Sequence, residues 1–306
     1  WDYIKTDFFT RDYFAYIFNN CTKLSQVESA DGLKGLPWRM FNGCTALESI
    51  TLPDGMTIMS SAFTGCSALQ SLSIPSTVTS IGSFEGCSSL IELVIPDGVT
   101  ELSYEGFKDC TSLTKITLPA GLQSIPQSLF ENCTALTSLT IPDKVMVIGN
   151  KAFSGCTALE SVSLPPDLAT IYEYAFSGCK ALKAITLPQS VSGIGRYAFS
   201  GCSQLGSIKL PPAMIIINEY TFQGCENLET VQLPAGLVTI NKNAFSGCKK
   251  LKKITIPGAV QTINEGAFAD CGLQEVVLSE GLISLANGSF AGCTLLEKVT
   301  FPTTMK

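Results

Sequence analysis

Ile171-Tyr-Glu-Tyr-Ala-Phe176-Ser-Gly178-Cys179-Lys-Ala-Leu182-Lys-Ala-Ile185-Thr-Leu187-Pro188 is one copy of a phrase that runs through the chain. Its fixed point is cysteine. The 13 cysteines stand at 21, 44, 66, 87, 110, 133, 156, 179, 202, 225, 248, 271 and 293, so every step is 21 to 23 residues. Phe precedes each Cys by three positions, from Phe18 and Phe41 to Phe290. Leu follows each Cys by three, except where a one-residue deletion brings Leu273 closer. Aliphatic residues then take the sixth and eighth positions after Cys, usually closed by Pro. A fixed period of this length predicts a solenoid, in which each unit buries its apolar residues only against its neighbours.

Within one unit, Leu159-Glu-Ser-Val-Ser-Leu164 alternates as a short strand does. Val162 and Leu164 point one way and Ser161 and Ser163 the other, because successive strand side chains face opposite sides. Pro165 ends the strand, having no N–H for a continuing ladder. Ala152-Phe-Ser-Gly-Cys156 reads as a short helical or 3₁₀ turn, too brief for a helix of several turns. Stacked at roughly 4.8 Å, such units give one parallel sheet and a body on the order of 60 Å long. Phe, Leu and Ile columns form its core.

Composition narrows the function. At 306 residues and 45% hydrophobic content the chain can bury a large core, and a solenoid does so without dividing into globular domains. Residues 1–20 carry Trp1, Tyr3, Phe8, Phe9, Tyr13, Phe14 and Tyr16, and are expected to cap the open end as a degenerate first repeat; the alternative is the end of a linker. Residues 21–306 are expected to be the solenoid. A net charge of −6, with arginine only at 11, 39 and 196, argues against a nucleic-acid surface. No apolar run approaches the roughly 18 residues of a membrane span. The chain starts at Trp1 without a legible signal peptide and reads as a mature or truncated form.

The cysteines occupy one equivalent column and are odd in number, so they are predicted to be free, buried thiols acting as small hydrophobes. The chain has no histidine, which removes Ser-His-Asp and Cys-His nucleophile systems. There is no Cys-x-x-Cys pair and no Gly-rich phosphate loop, and the acids are scattered singly. An enzyme is not expected, and neither a metal nor a cofactor is implied. The glycosylation sequons Asn20-Cys-Thr22 and Asn132-Cys-Thr134 place a repeat Asn before a repeat Cys, and Asn287-Gly-Ser289 is a third match.

Irregularities cluster near the start. Ser29 stands where a strand aliphatic belongs, and Pro37-Trp38 is expected to interrupt the pattern. The unit from Cys44 to Cys66 lacks one residue, placed after Pro53, and that from Cys66 to Cys87 lacks two, around Ile81-Gly-Ser-Phe84. Both deletions are expected to spare the strand. The last unit ends at Phe301-Pro302-Thr-Thr-Met-Lys306 with no evident polar cap, which predicts a monomer or a weak end-to-end dimer.

The joined pattern of Ala-Phe, Cys and Leu-x-x-Ile-x-Leu-Pro resembles the BspA-like class of bacterial leucine-rich repeats over about residues 15–306. The resemblance implies a curved right-handed solenoid with a concave parallel sheet, and turns and irregular segments on its convex side. It also implies a protein exported and displayed on cells, with some members binding host matrix proteins.

Three surfaces compete as a partner site. On the concave strand face lie the hydroxyl-rich positions Ser161, Ser163, Thr186, Lys209, Gln232, Lys253 and Thr255, which equally suit a solvated sheet. Tyr174, Tyr197 and Tyr220 form a column two residues before Phe, with Tyr172 nearby; they either stack on one another or grip a protein or a sugar face. Lys249, Lys250, Lys252 and Lys253 form a basic cluster, either plainly solvated or facing an acidic glycan or protein segment. The leading reading is a non-catalytic surface or secreted module binding a protein or a glycan. The alternative is a spacer or homotypic scaffold.

Overall fold

The computed structural model describes residues 15–28 and 32–303. The aromatic segment before Ala15, Ser29 and the tail after Thr303 lie outside them. The chain winds as stacked coils whose strands pair in parallel with the equivalent strand of a neighbouring coil, as Ser161–Ser163 does with Ser138–Thr140. This is a parallel-strand solenoid of the leucine-rich-repeat type.

Most coils carry more than the single strand read from the sequence. The first ladder holds the three-residue strands, such as Lys115–Thr117 and Ser207–Lys209, with the middle side chain buried and its two neighbours exposed. A second ladder of two-residue strands, such as Val147–Ile148 paired to Thr170–Ile171, runs along another side. Two residues are too few for alternation to register in a sequence. Pro37 does not interrupt the pattern, because Gly35–Leu36 just before it pairs with Ile58–Met59 in this ladder.

The expected helical turn is a run of hydrogen-bonded turns, and no helix occurs among the described residues. Alternate N–H groups explain why. Ala152, Ser154 and Cys156 donate three residues back, to Gly149, Lys151 and Phe153, at 3.0–3.2 Å. Lys151, Phe153 and Gly155 instead donate to Glu173, Ala175 and Ser177 of the next coil, at 2.7–2.9 Å. An α-helix would need every N–H to bond within its own segment; here half of them hold the stack together. The turn requires a left-handed residue before every Cys, which explains Gly155 and also Asn132, with φ of 76° and 61°. The Asn132 amide donates to Asp109 at 2.8 Å, so that sequon is a product of the turn.

A second left-handed position lies two residues before Phe, as at Lys151 and Asn243. It is missing from the two short coils, because their deletions fall there. Met59-Ser-Ser-Ala-Phe63 stands against Ile171-Tyr-Glu-Tyr-Ala-Phe176, so the first deletion follows Met59 and not Pro53. The deletions spare the Phe column: Phe41, Phe63, Phe84 and Phe107 stack at 5.5–5.9 Å.

That column continues to Phe290, with Phe153 and Phe176 at 5.0 Å and 4° between planes. Beside it each buried thiol donates to the Phe carbonyl of the preceding coil, Cys156 to Phe130 at 3.0 Å and Cys179 to Phe153 at 3.2 Å. All 13 cysteines are free. Burial pushes the Cys66, Cys110, Cys156 and Cys225 thiols up to about 12, which holds them protonated as donors.

Phe176→Ala is expected to cost roughly 3–5 kcal/mol in denaturant unfolding; a loss under about 1 kcal/mol would remove that ring from the core. In denaturant without reductant, a thiol reagent is expected to count all 13 cysteines, whereas in the native protein the exposed Cys21 reacts first and the buried column reacts only on unfolding.

Candidate functional site

The first ladder presents its exposed positions as two rows. Ser161, Ser163, Thr186, Lys209, Gln232 and Thr255 all lie on its open side. The buried partners between them, such as Val162 and Ile208, fix the orientation by filling the core. No ion pair reaches Lys209 among the described residues. Lys253, on the same face, bonds Glu275 at 2.8 Å, and Lys298 reaches that carboxylate from the other side at 3.1 Å. Both lysines hold the Glu275 carboxyl below the usual carboxylate range.

The same pairing across coils neutralises most of the basic cluster. Lys249 lies 2.7 Å from Glu226 and Lys250 lies 3.8 Å from Glu229. Lys252 carries no such partner among the described residues. Exposed pairs of this kind contribute little to stability, but they cancel the local field an acidic ligand would need. One coil of separation put these acids out of sight of the lysine run, since a 23-residue spacing does not register as a charge pair.

The tyrosine column forms. Tyr174 and Tyr197 are stacked with centroids 4.6 Å apart, and Tyr197 and Tyr220 at 4.5 Å. All three are left-handed, with φ of 56–58°. Nothing in the backbone demands tyrosine there, since Asn243 and Gly266 fill the equivalent place. Stacking consumes both faces of Tyr197 and one face of each neighbour, which leaves the ring edges and hydroxyls outward. The ladder therefore offers a phenol row and not the broad aromatic face that a sugar would cover. Tyr172 is exposed nearby, and the Arg196 guanidinium pairs with Glu219.

Burial, then the neighbouring Tyr220 and Tyr174, raise the Tyr197 phenol above its ordinary 10.0. No cluster of three metal-ligating side chains occurs among the described residues. No helix among them is long and apolar enough to cross a membrane.

These coils and their open strand face define a bacterial-type leucine-rich-repeat solenoid, an architecture that offers a long continuous surface to proteins. The BspA type leucine-rich repeat region (6 copies) matches residues 14–112, 82–206, 123–235 and 215–306, and the chain belongs to that family. A leucine-rich repeat protein from Bacteroides ovatus ATCC 8483 is similar, with 29% identity and a TM-score of 0.81 over 95% of this chain and 82% of that one. A leucine rich cell surface protein from Faecalibacterium prausnitzii A2-165 is 26% identical, with a TM-score of 0.56 over 92% of this chain and 82% of its own. No curated protein matches the chain.

A phenol raised on folding binds its proton more tightly in the native state. The stability it contributes is present below the ordinary phenol value and is lost as pH rises through the native one. Absorbance titration should therefore show a component ionising above 10.0 that Tyr197→Phe removes; an unchanged curve would contradict the stacked column.

Proposed function

We propose that this protein is a non-catalytic binding module displayed at a cell surface, recognising a protein such as a component of host extracellular matrix along its first-ladder face. One observation carries the choice of face: Ser161, Ser163 and Lys209 stand exposed on first-ladder strands, and Thr186 stands exposed on the coil between them, with their polar groups unspent. Both ring faces of Tyr197, one face each of Tyr174 and Tyr220, and three of the four clustered lysines are already engaged within the protein. A ladder held by the core presents these groups with little ordering cost, which favours binding of an extended partner. The cell-surface reading is supported by membership of the family and by the description of the Faecalibacterium relative.

A homotypic scaffold is a second reading, favoured by one feature. The strand Lys298–Thr300 is exposed along its length, with Leu295 and Phe301 exposed beside it. Those exposed apolar side chains suit contact with a second copy of the chain.

Saturable binding of the monomer to immobilised matrix proteins is the expected result, with Lys209→Glu weakening it about tenfold, or ~1.4 kcal/mol. Tyr174→Phe should leave it unchanged. A panel without saturable binding, alongside self-association that grows with concentration, would favour the scaffold.

A further inference from the structure

The coil between Cys87 and Cys110 is the one coil among the described residues, up to Leu285, without a second-ladder strand. Ser80–Ile81 ends one run of that ladder and Ser124–Ile125 begins the next. Thr100–Ser103 should lie between them, yet no backbone hydrogen bond joins this segment to either side among the described residues. The cause is a mismatch of turn lengths. The coil before it lacks two residues between Ile81 and Phe84, while this one keeps the full turn from Leu102 to Phe107. Phe84 and Phe107 remain stacked at 5.6 Å, so the core stays in register and the outer ladder gives way. The other break in this ladder, before Ile216–Ile217, is bridged by the Asn218 amide donating to Ile194 at 2.7 Å. Among the described residues no side-chain hydrogen bond bridges the gap at Thr100–Ser103.

The gap is a cleft of about 720 Å³. That lies within the roughly 300–1,000 Å³ of small-molecule sites. Its floor includes Ile81, Leu102 and Pro126, and Tyr104 stands at its rim. Tyr104 is 76% exposed and no ring packs on it among the described residues, so its faces are free where those of Tyr197 are spent. Glu101 and Gln123 line the cleft without a side-chain partner, although many acids elsewhere pair with a lysine or arginine of an adjacent coil. No lysine or arginine lines it.

We propose that this cleft binds a neutral pyranose. A sugar ring has an apolar C–H face that an exposed tyrosine can cover, and vicinal hydroxyls that a planar carboxylate or amide can meet in pairs. Ser80, Thr100 and Ser124 add hydroxyls at the rim. The lone carboxylate of Glu101 opposes acidic sugars. An extended peptide fits less well, because the flanking strands are two residues each and would hold it in no defined register. The site is on the second ladder and is independent of the first-ladder reading.

Saturation-transfer NMR on the full 306-residue chain tests this with four probes: methyl β-galactoside, methyl α-mannoside, methyl N-acetyl-β-glucosaminide and methyl β-glucuronide. At least one of the three neutral glycosides should receive saturation and the glucuronide should not. Tyr104→Ala should reduce the transfer about fivefold or more, Tyr104→Phe should keep it, and Tyr174→Ala should leave it unchanged. Circular dichroism of each variant confirms folding. The proposal is overturned if no neutral glycoside receives saturation, if Tyr104→Ala has no effect in the folded protein, or if the glucuronide binds as well as the neutral probes. It is equally overturned if short extended peptides, and not glycosides, perturb the Ser80 and Ser124 amides. None of these outcomes depends on matrix-protein binding, so the two readings fail separately.

Discussion

A coil of some 23 residues cannot bury its own phenylalanine; only the coils on either side can. Every other feature depends on that constraint. The rings from Phe18 to Phe290 stack at 5.0–5.9 Å, and that spacing sets where the backbone of each coil lies relative to the next. The two ladders, the turn bonds and the thiol-to-carbonyl bonds all join one coil to its neighbour, the turn N–H groups donating to the following coil and the thiols to the preceding one. Stability in such a body accumulates from nearest-neighbour contacts, and the ends are its weak points.

When these interactions conflict, the core wins. The coils that lose one or two residues just before Phe63 and Phe84 keep their Phe and Cys in column and give up the left-handed residue two positions before Phe. Where a full turn meets a short one, the two-residue ladder parts and the ring stack does not. A ladder of two-residue strands gives little net energy for each pairing once water competes for its groups, whereas a buried Phe truncation costs several kcal/mol.

The surface follows a different logic. The positions of the first ladder alternate, so their outward side chains are free of the core and could vary without disturbing it. Much of that freedom is used internally. Lys183 with Glu160, Lys242 with Glu265 and Lys249 with Glu226 are each one coil apart and bind the stack edgewise. The tyrosine column does the same with rings. What stays unspent, along the first ladder around Ser161–Lys209 and in the cleft beside Tyr104, is the part of the molecule left to meet something else.

The 13 cysteines and the Phe and Leu at fixed offsets determined the solenoid, its register and its free thiols without reference to coordinates, because each coil repeats the same burial problem. Tyr174, Tyr197 and Tyr220 were legible as a column for the same reason. Their lost ring faces were not, since stacking is decided by side-chain rotation between coils. The turn around Ala152–Cys156 has the length of a helical turn, and only the next coil, by accepting alternate N–H bonds, decides that it is not one. Glu226, Glu229 and Glu275 could be joined to their lysines only once the stack brought a one-coil separation down to contact distance. The cleft at Thr100–Ser103 arises from a difference in length between two adjacent turns, which sequence displays as a deletion and only tertiary packing converts into an opening, because the chain can absorb it at the Phe column or at the ladder and the ladder is the cheaper place.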